Sequence, residues 1–239
     1  MASATTIHAG DRLGWRLCWS RLIFILFVAH VSIQALPATK LAGNSVKGMR
    51  VVAGELRGRR INAPLGKKTR PTTDKAREAT FNALGSLGVV VGARVIDAFA
   101  GSGALGIEAL SRGAEHCTFI ERDREALEVL RENLETLGLV EKSTVVRGDV
   151  LTNIALVRNA SLVLADPPYE FKQWSQFLGE VACDLVVAES DSDMNGVING
   201  EVNGVISGVD GASPAIIGWE VTRVKRYGRA YVSFLQRLA

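Results

Sequence analysis

The chain contains few residues of the kinds that build metal sites and disulfide frameworks. It has three cysteines and three histidines in 239 residues. The cysteines, Cys18, Cys117 and Cys183, lie far apart and form no C-x-x-C pair, so the sequence indicates neither a disulfide framework nor a thiolate metal site. The histidines are equally scattered. We therefore expect a protein without a metal ion, suited to a reducing compartment.

The chain also lacks a convincing membrane span. Its apolar run LIFILFVA, residues 22–29, is shorter than the roughly 20 residues that a span needs. Because three arginines precede it, the segment resembles a signal peptide. The alternative, which we favour, is that Met49 is the natural start and residues 1–48 are an upstream extension, since the residues that follow suit chemistry inside a cell. We expect a cytoplasmic protein, with a membrane anchor or a signal peptide as the minority interpretation.

Charge is distributed unevenly, although the net charge is only +3. Residues 49–80 carry nine Lys or Arg against three acids, and residues 219–239 carry five against one. Residues 1–48 are also basic, which leaves residues 81–218 strongly acidic. Two basic segments that border one domain favour a polyanionic partner, because neutralising phosphates supplies most non-specific nucleic-acid affinity. For any single arginine, a solvated surface position is the alternative.

The order of the predicted elements indicates an α/β domain. MRVVAGELRGRRINAP, from Met49, predicts a basic hairpin, and TDKAREATFNAL predicts a helix after it. Five strands separated by helices then follow, in the stretches RVIDAF, HCTFIE, STVVRGD, SLVLAD and DLVVAES. This alternation predicts a doubly wound, mostly parallel sheet. We expect a leader over residues 1–48, a basic hairpin with a helix over 49–90, and the main domain over 91–239.

Two further segments lie near the end of the chain. Residues 191–215 are rich in Gly, Asn, Ser and Asp and contain the near-repeat NGVING and NGVISG, which predicts a flexible insert. The last segment alternates polar and apolar residues on both sides of Tyr227 and Gly228. It predicts an antiparallel hairpin at the edge of the sheet.

The stretch DAFAGSGALG, residues 97–106, has the G-x-G-x-x-G spacing of a dinucleotide-binding turn, which is a weak signal alone. Asp97 precedes Gly101 by four residues, a spacing that is similar to motif I of S-adenosylmethionine (SAM) methyltransferases. Glycines at 101 and 103 let the backbone approach a cofactor, and the carboxylate would offset the charge of the sulfonium. Gly106 would then serve only helix packing. The candidate cofactor residues in this stretch are Asp97, Ala100, Gly101 and Gly103.

Two more acids follow the next strands. Glu121 ends the second strand, where a carboxylate accepts hydrogen bonds from ribose hydroxyls, in a nicotinamide cofactor as well as in SAM. Asp149 follows the third strand and matches the carboxylate that holds the adenine amino group in methyltransferases. An ordinary turn aspartate explains Asp149 equally well. Asp123 is expected to cap the following helix.

The fourth strand is followed by Asp166, Pro167, Pro168 and Tyr169. Two successive prolines make a rigid, extended corner that aims a carbonyl outward. Asp166 and the Pro167 carbonyl can accept the hydrogens of an exocyclic base amine and orient its lone pair toward a methyl group, while Tyr169 stacks on the base. This is catalysis by orientation and charge placement. We predict these four as the catalytic residues.

The stretches RPTTDKAREATFNAL, DAFAGSGALGIEALSRGA and DPPY closely resemble the RsmD family of bacterial 16S rRNA guanine-N2 methyltransferases. The resemblance covers nearly everything from Met49 onward. It implies a class I methyltransferase fold with a seven-stranded sheet, SAM over Gly101 and Gly103, and a flipped guanine at the DPPY stretch. It also implies 16S rRNA or the assembling small subunit as partner. We expect a monomer with no stable protein partner.

The expected phosphate contacts are basic residues of the N-terminal segment: Arg57, Arg59, Arg60, Lys67, Lys68 and Arg70. Three other functions remain possible from the sequence. A DNA adenine-N6 methyltransferase uses the same D/N-P-P-Y chemistry, but only a basic hairpin and a basic tail flank this core. A non-catalytic SAM- or RNA-binding assembly factor would not need the intact DPPY stretch. A nicotinamide oxidoreductase is disfavoured by Asp97.

Overall fold

The computed structural model describes residues 49–64, 74–199, 201–202, 205–206, 216 and 218–238. Its strands are β1 (Met49–Arg50), β2 (Arg60–Ile61), β3 (Arg94–Asp97), β4 (His116–Glu121), β5 (Ser143–Arg147), β6 (Leu162–Ala165), β7 (Leu185–Ser190), β8 (Glu201–Val202), β9 (Val205–Ile206), β10 (Trp219–Tyr227) and β11 (Ala230–Arg237). Its α-helices are α1 (Asp74–Ser86), α2 (Ala104–Ser111), α3 (Arg124–Leu137), α4 (Val150–Asn153), α5 (Trp174–Glu180) and α6 (Met194–Ile198). The predicted leader lies outside the described residues.

The central sheet has seven strands in the order β10-β11-β7-β6-β3-β4-β5. The strands from β3 to β7 are parallel, and β11 pairs antiparallel with both β7 and β10. The predicted α/β class, parallel core and C-terminal hairpin are therefore confirmed. The strand order reverses at β3, between its neighbours β4 and β6. In open α/β sheets, ligands bind at the carboxyl ends of the strands beside such a switch point.

Apolar helix faces cover the sheet on both sides. One buried cluster joins α1, α2 and α3 to the sheet, and a second joins α4, α5 and α6. The predicted leucine stripe of α3 is buried, and so is the predicted face of α1: Leu127, Leu130, Leu134 and Leu137 in the first, and Ala76, Thr80, Phe81 and Leu84 in the second. Burial of a full leucine side chain contributes about 2 kcal/mol, so these faces fix the helices on the sheet. Among the described residues, no helix combines the length and the apolar character that crossing a membrane requires.

The predicted N-terminal hairpin is confirmed: β1 pairs antiparallel with β2, with Met49 opposite Ile61. Its turn packs on the C-terminal part of α2, where buried Glu108 accepts hydrogen bonds from Val52 N and Ala53 N. Gly54 has a φ of 85°, and a Cβ there would lie 1.9 Å from the Ser111 carbonyl oxygen. This close approach explains why the turn uses glycine.

The start of the predicted flexible insert differs from the expectation. Asp193 caps α6 by accepting a hydrogen bond from Asn195 N, and Met194 and Ile198 are buried against the core. These two apolar residues lie four apart, so they share one helix face. The polar composition of residues 191–215 as a whole gives no sign of this face. Residues 194–198 therefore belong to the fold. Of the remainder, only the short β8–β9 pair and residues 191–193 and 199 are described.

Candidate active site

A cavity of about 1260 Å³ opens at the carboxyl ends of β3, β4 and β6. It brings together seven of the ten predicted catalytic and cofactor residues: Ala100, Gly101, Glu121, Asp149, Asp166, Pro167 and Pro168 all line it. Other parts of the wall come from the N-terminal hairpin segment and α1, through Met49, Pro64 and Arg77. The cofactor motif and the DPPY stretch, which lie more than sixty residues apart in sequence, thus share one space.

Glu121 holds the turn that carries Gly101. Its Oε2 accepts a hydrogen bond from Gly101 N at 2.8 Å, and its Oε1 accepts from Arg122 N at 2.8 Å and Asp123 N at 2.7 Å. Gly101 has a φ of 54°, and a Cβ placed there would meet no atom within 4 Å. The cavity-lining face of Gly101 is thus open, as close approach of a cofactor requires.

Asp149 is a helix cap that also lines the cavity, and its contact with an adenine amino group stays a prediction. It caps α4, because its Oδ1 accepts a hydrogen bond from Leu151 N at 2.9 Å. Its Oδ2 lies 3.4 Å from the Arg122 guanidinium, and the residue also lines the cavity. The expected cap at Asp123 is confirmed as well, since its side chain accepts from Ala126 N.

Asp97 is placed differently from the expectation of a cofactor contact. It is 1% exposed, does not line the cavity, and accepts a hydrogen bond from Gly106 N at 2.8 Å through Oδ2. The N-cap of α2 is Gly103, which has no side chain to cap the helix. Asp97 supplies the missing acceptor from the preceding strand. Burial raises the pKa of its carboxyl to about 7, although the hydrogen bond from Gly106 lowers it.

Gly103 and Gly106 both face the core. A Cβ at Gly103 would lie 2.4 Å from Leu130 Cδ1, and the residue has a φ of 86° and does not line the cavity. A Cβ at Gly106 would lie 2.3 Å from the Phe119 ring. The structure thus agrees with a packing role for Gly106, and it gives Gly103 a backbone and packing role where direct cofactor approach was expected.

The DPPY stretch follows β6, whose four residues are all buried. The Pro168 carbonyl accepts a hydrogen bond from Phe171 N at 2.9 Å, which turns the chain back toward the cavity. Phe171 and Phe99, whose ring centroids are 5.1 Å apart, both line the wall and couple this turn to the cofactor motif. Tyr169 is half-buried and is not among the residues that line the cavity. Its expected stacking on a base stays a prediction.

Sequence reasoning missed four residues that contribute to the site. Asn133 is buried in α3 and donates to the carbonyl oxygens of Asn62 and Ser102, which links the hairpin segment to the cofactor turn. Arg77 lies 3.6 Å from Glu108 and lines the cavity although it is 2% exposed. Phe99 and Phe171 form the wall described above. Phe99 lies within DAFAGSGALG and Arg77 within RPTTDKAREATFNAL, but the contacts of these four residues join segments too distant in sequence to show any periodicity.

The three described arginines expected to bind phosphate, Arg57, Arg59 and Arg60, are exposed on the hairpin. Arg59 donates to the Thr136 carbonyl oxygen at the C-terminal end of α3. Lys67, Lys68 and Arg70 lie outside the described residues. Within the described ranges, no group of three or more His, Cys, Asp or Glu could hold a metal ion.

The residues that line this part of the cavity fit SAM. An open wall at Gly101 accommodates a close ligand, and the two half-exposed carboxylates of Glu121 and Asp149 can accept hydrogen bonds from hydroxyls and an amino group. Apolar side chains of Ile120, Val150 and Leu151 line the same wall and suit a flat base.

Comparison with known proteins gives concordant results. Residues 49–236 match the family model described as conserved hypothetical protein 95. Ribosomal RNA small subunit methyltransferase D of Escherichia coli is 42% identical over 122 residues, which are 51% of this chain and 60% of the relative. The Haemophilus influenzae protein of that name is 36% identical over 137 residues, 55% of this chain and 70% of the relative. Some matches thus span less than two thirds of the relative.

A solved structure, the yhhF protein of Escherichia coli, superimposes with a TM-score of 0.63 at 32% identity, covering 80% of this chain and 98% of that one. A Haemophilus influenzae protein does so with a TM-score of 0.59 at 26% identity, covering 80% and 99%. The family match covers the N-terminal hairpin, the residues that line the cavity and nearly all of the C-terminal strands. The chain therefore belongs to the conserved hypothetical protein 95 family, the RsmD family, and is a SAM-dependent methyltransferase.

Proposed function

We propose that the protein transfers a methyl group from SAM to the exocyclic N2 amine of a guanine in 16S rRNA. One observation carries the proposal: the turn at Gly101 and the Asp166-Pro167-Pro168 corner line a single cavity. A cofactor at the first and a base at the second would therefore meet. Relatives named ribosomal RNA small subunit methyltransferase D support an rRNA substrate.

The chain's own residues act by orientation. When bound, the cofactor supplies an electrophilic methyl group. The N2 amine of guanine is a poor nucleophile, because its lone pair is conjugated with the ring. Asp166 and the Pro167 carbonyl accept the two amine hydrogens, which favours a pyramidal nitrogen with its lone pair directed toward the methyl donor. After transfer the nitrogen loses one proton, for which Asp166 is the nearest proposed acceptor.

The hydrophobic corner of the site supports this chemistry. Phe99 and Phe171 close one wall, and Phe171 packs edge-on against Trp174 with 5.1 Å between ring centroids. Removing water from the reacting amine strengthens each hydrogen bond to it, because the local dielectric falls. These rings therefore help the corner discriminate between a positioned amine and solvent.

The substrate reaches the site as an extruded base in 16S rRNA, either naked or in the assembling small subunit. Extrusion costs a few kcal/mol, so affinity must come from phosphate contacts, for which Arg57, Arg59 and Arg60 are placed on the exposed hairpin. We further propose that the protein acts as a monomer in the cytoplasm.

The proposal is tested by mapping methyl groups. Ribosomal RNA from a strain that lacks the gene is incubated with labelled SAM and the purified protein, and the label is located by digestion and mass spectrometry. We expect one labelled guanine, carrying the methyl on N2, in 16S rRNA. Parallel incubation with unmethylated DNA should give no label. Label on DNA adenine, or on no nucleic acid, would contradict the proposal.

A further inference from the structure

The tip of the β10–β11 hairpin lies at the same edge of the sheet as the cavity. Tyr231 pairs with Ser190, the last residue of β7, and Ala188 of β7 pairs with Ala165, the last residue of β6. The residue after Ala165 is Asp166, so the DPPY corner and Tyr231 stand at nearly the same level, two strands apart. Strands in a sheet are about 4.8 Å apart, which separates their backbones by roughly 10 Å.

The tip is basic. Lys225, Arg226 and Arg229 are exposed within five residues, and Arg226 is the register partner of Tyr231. The Arg226 guanidinium lies 5.4 Å from the centre of the Tyr231 ring and donates to the Gly228 carbonyl oxygen at 3.0 Å. A guanidinium held over an aromatic ring combines a phosphate contact with a face on which an unpaired base can stack.

The position and charge of the β10–β11 tip suit contact with the phosphate backbone of an RNA whose base enters the cavity. The N-terminal hairpin docks its turn on the C-terminal part of α2, on the face of the sheet covered by α1 to α3. The β10–β11 tip instead extends the sheet edge beyond β7, on the other side of the DPPY corner. An extruded base needs the RNA backbone on both of its flanks to be held. The N-terminal hairpin can hold the backbone on only one flank.

We propose that the tip formed by Lys225, Arg226, Arg229 and Tyr231 is a second RNA-contact surface, which holds the single-stranded backbone beside the target base. This inference rests on the proposed function, because it takes the DPPY corner as the point where the base enters. It assigns to the basic C-terminal segment a role in substrate binding and none in the methyl transfer step.

The test is the double variant Arg226→Gln with Arg229→Gln, with Arg94→Gln and Arg158→Gln as the matched control. The control removes the same charge from residues that precede β6 or begin β3, at the opposite edge of the sheet. Binding to transcribed 16S rRNA is measured between low and high salt, with SAM affinity by calorimetry as the check on folding. The tip variant should bind about tenfold more weakly near 0.15 M salt. Its salt slope, the slope of the logarithm of the binding constant against the logarithm of the salt concentration, should become less steep by about 1.4.

The control should keep the salt slope of the parent protein. A lysine version, Arg226→Lys with Arg229→Lys, should also keep it, because the charges remain. An unchanged slope in the glutamine variant, or an equal fall in the control, would overturn the inference. If the parent protein bound 16S rRNA but methylated no guanine in it, the proposed function would fail instead, so the two failures are distinguishable.

Discussion

Asp97 supports the cofactor turn from its buried side, away from the cavity. Its buried carboxylate accepts from Gly106 N and so caps α2, whose N-cap residue is a glycine. Two carboxylates thus hold the cofactor turn: Asp97, within the motif, supports it from the core side, and Glu121, at the end of β4, holds it from the cavity side. The distinction matters because only the second can contact a ligand without rearrangement.

Asp97 gives stability a specific pH dependence. The pKa of its carboxyl is raised to about 7 by burial, whereas an unfolded aspartate titrates near 3.9. Between these values the folded protein keeps a proton that the unfolded chain releases. The contribution of this group to the free energy of unfolding is therefore greatest below about pH 4. It decreases as the pH rises and is lost by about pH 7.

We expect Asp97→Asn to remove this dependence, because the amide oxygen still accepts from Gly106 N and does not ionise. Urea unfolding at pH 5 and pH 8 should show a fall of about 3 kcal/mol in the parent protein that is absent in the variant. SAM affinity should change less than threefold. A parent protein equally stable at both pH values, or a variant that no longer binds SAM, would contradict this role.

The two outer glycines of the motif should respond differently to alanine. Gly101→Ala costs about 1 kcal/mol of backbone strain at positive φ and places a methyl group in the open wall, so SAM affinity should fall at least about tenfold. Gly106→Ala forces a methyl against Phe119 and should destabilise the fold by about 1–3 kcal/mol. Urea unfolding with calorimetry of SAM binding separates the two effects. A larger loss of SAM affinity in Gly106→Ala would reverse the assignment.

At the scale of elements, a buried carboxylate contributes to fixing the N-terminal hairpin on the core. Glu108 is fully buried in α2, lies 2.7 Å from the Arg112 guanidinium, and accepts from two backbone amides of the hairpin segment. The buried guanidinium of Arg77 also lies 3.6 Å from the Glu108 carboxylate. This cluster joins the hairpin, α1 and α2, so it positions the residues that reach the cavity wall.

Glu108→Ala should therefore destabilise the protein by about 3–5 kcal/mol, because it leaves buried arginines and amides without their acceptor. The matched control is Glu128→Ala, which removes an exposed (i, i+4) partner of Arg124 and should cost under about 0.5 kcal/mol. Urea unfolding curves measure both. Similar small losses in the two variants would show that the cluster does not anchor the hairpin.

Much of the fold is visible in the sequence, because strand and helix periodicity are local. The strands, the leucine stripe of α3 and both hairpins follow from spacing alone. The structure adds what depends on distant contacts: Glu108 meets backbone more than fifty residues away, and Asn133 joins Asn62 to Ser102. Spacing likewise marks Asp97 as important without showing that it faces α2, since a strand end can direct its side chain to either side.

For the molecule as a whole, the basic segments fall on two parts of the surface that flank one site. The exposed arginines of the first hairpin and the basic tip of β10–β11 are joined to an acidic central region. Such an arrangement would direct a polyanion toward the cavity entrance and away from the rest of the surface.

Neutralising the first hairpin should therefore weaken RNA binding without changing the chemical step. Arg57→Gln with Arg60→Gln should lower the salt slope by about 1.4 for single-stranded RNA and leave the single-turnover rate at saturating RNA unchanged. Filter binding across a salt series, followed by rapid-quench methylation, measures both. An unchanged slope would place these arginines on ordinary solvated surface.

The central claim is that the Asp166 corner activates an amine beside a separately held cofactor. The most direct measurement is the single-turnover rate of methyl transfer to 16S rRNA by Asp166→Ala, with Asp184→Ala, an exposed residue ahead of β7, as control. We predict a fall of about a hundredfold or more for Asp166→Ala, with SAM affinity within about threefold of the parent, and no change for the control. Methyl transfer at the parent rate by Asp166→Ala would contradict the claim.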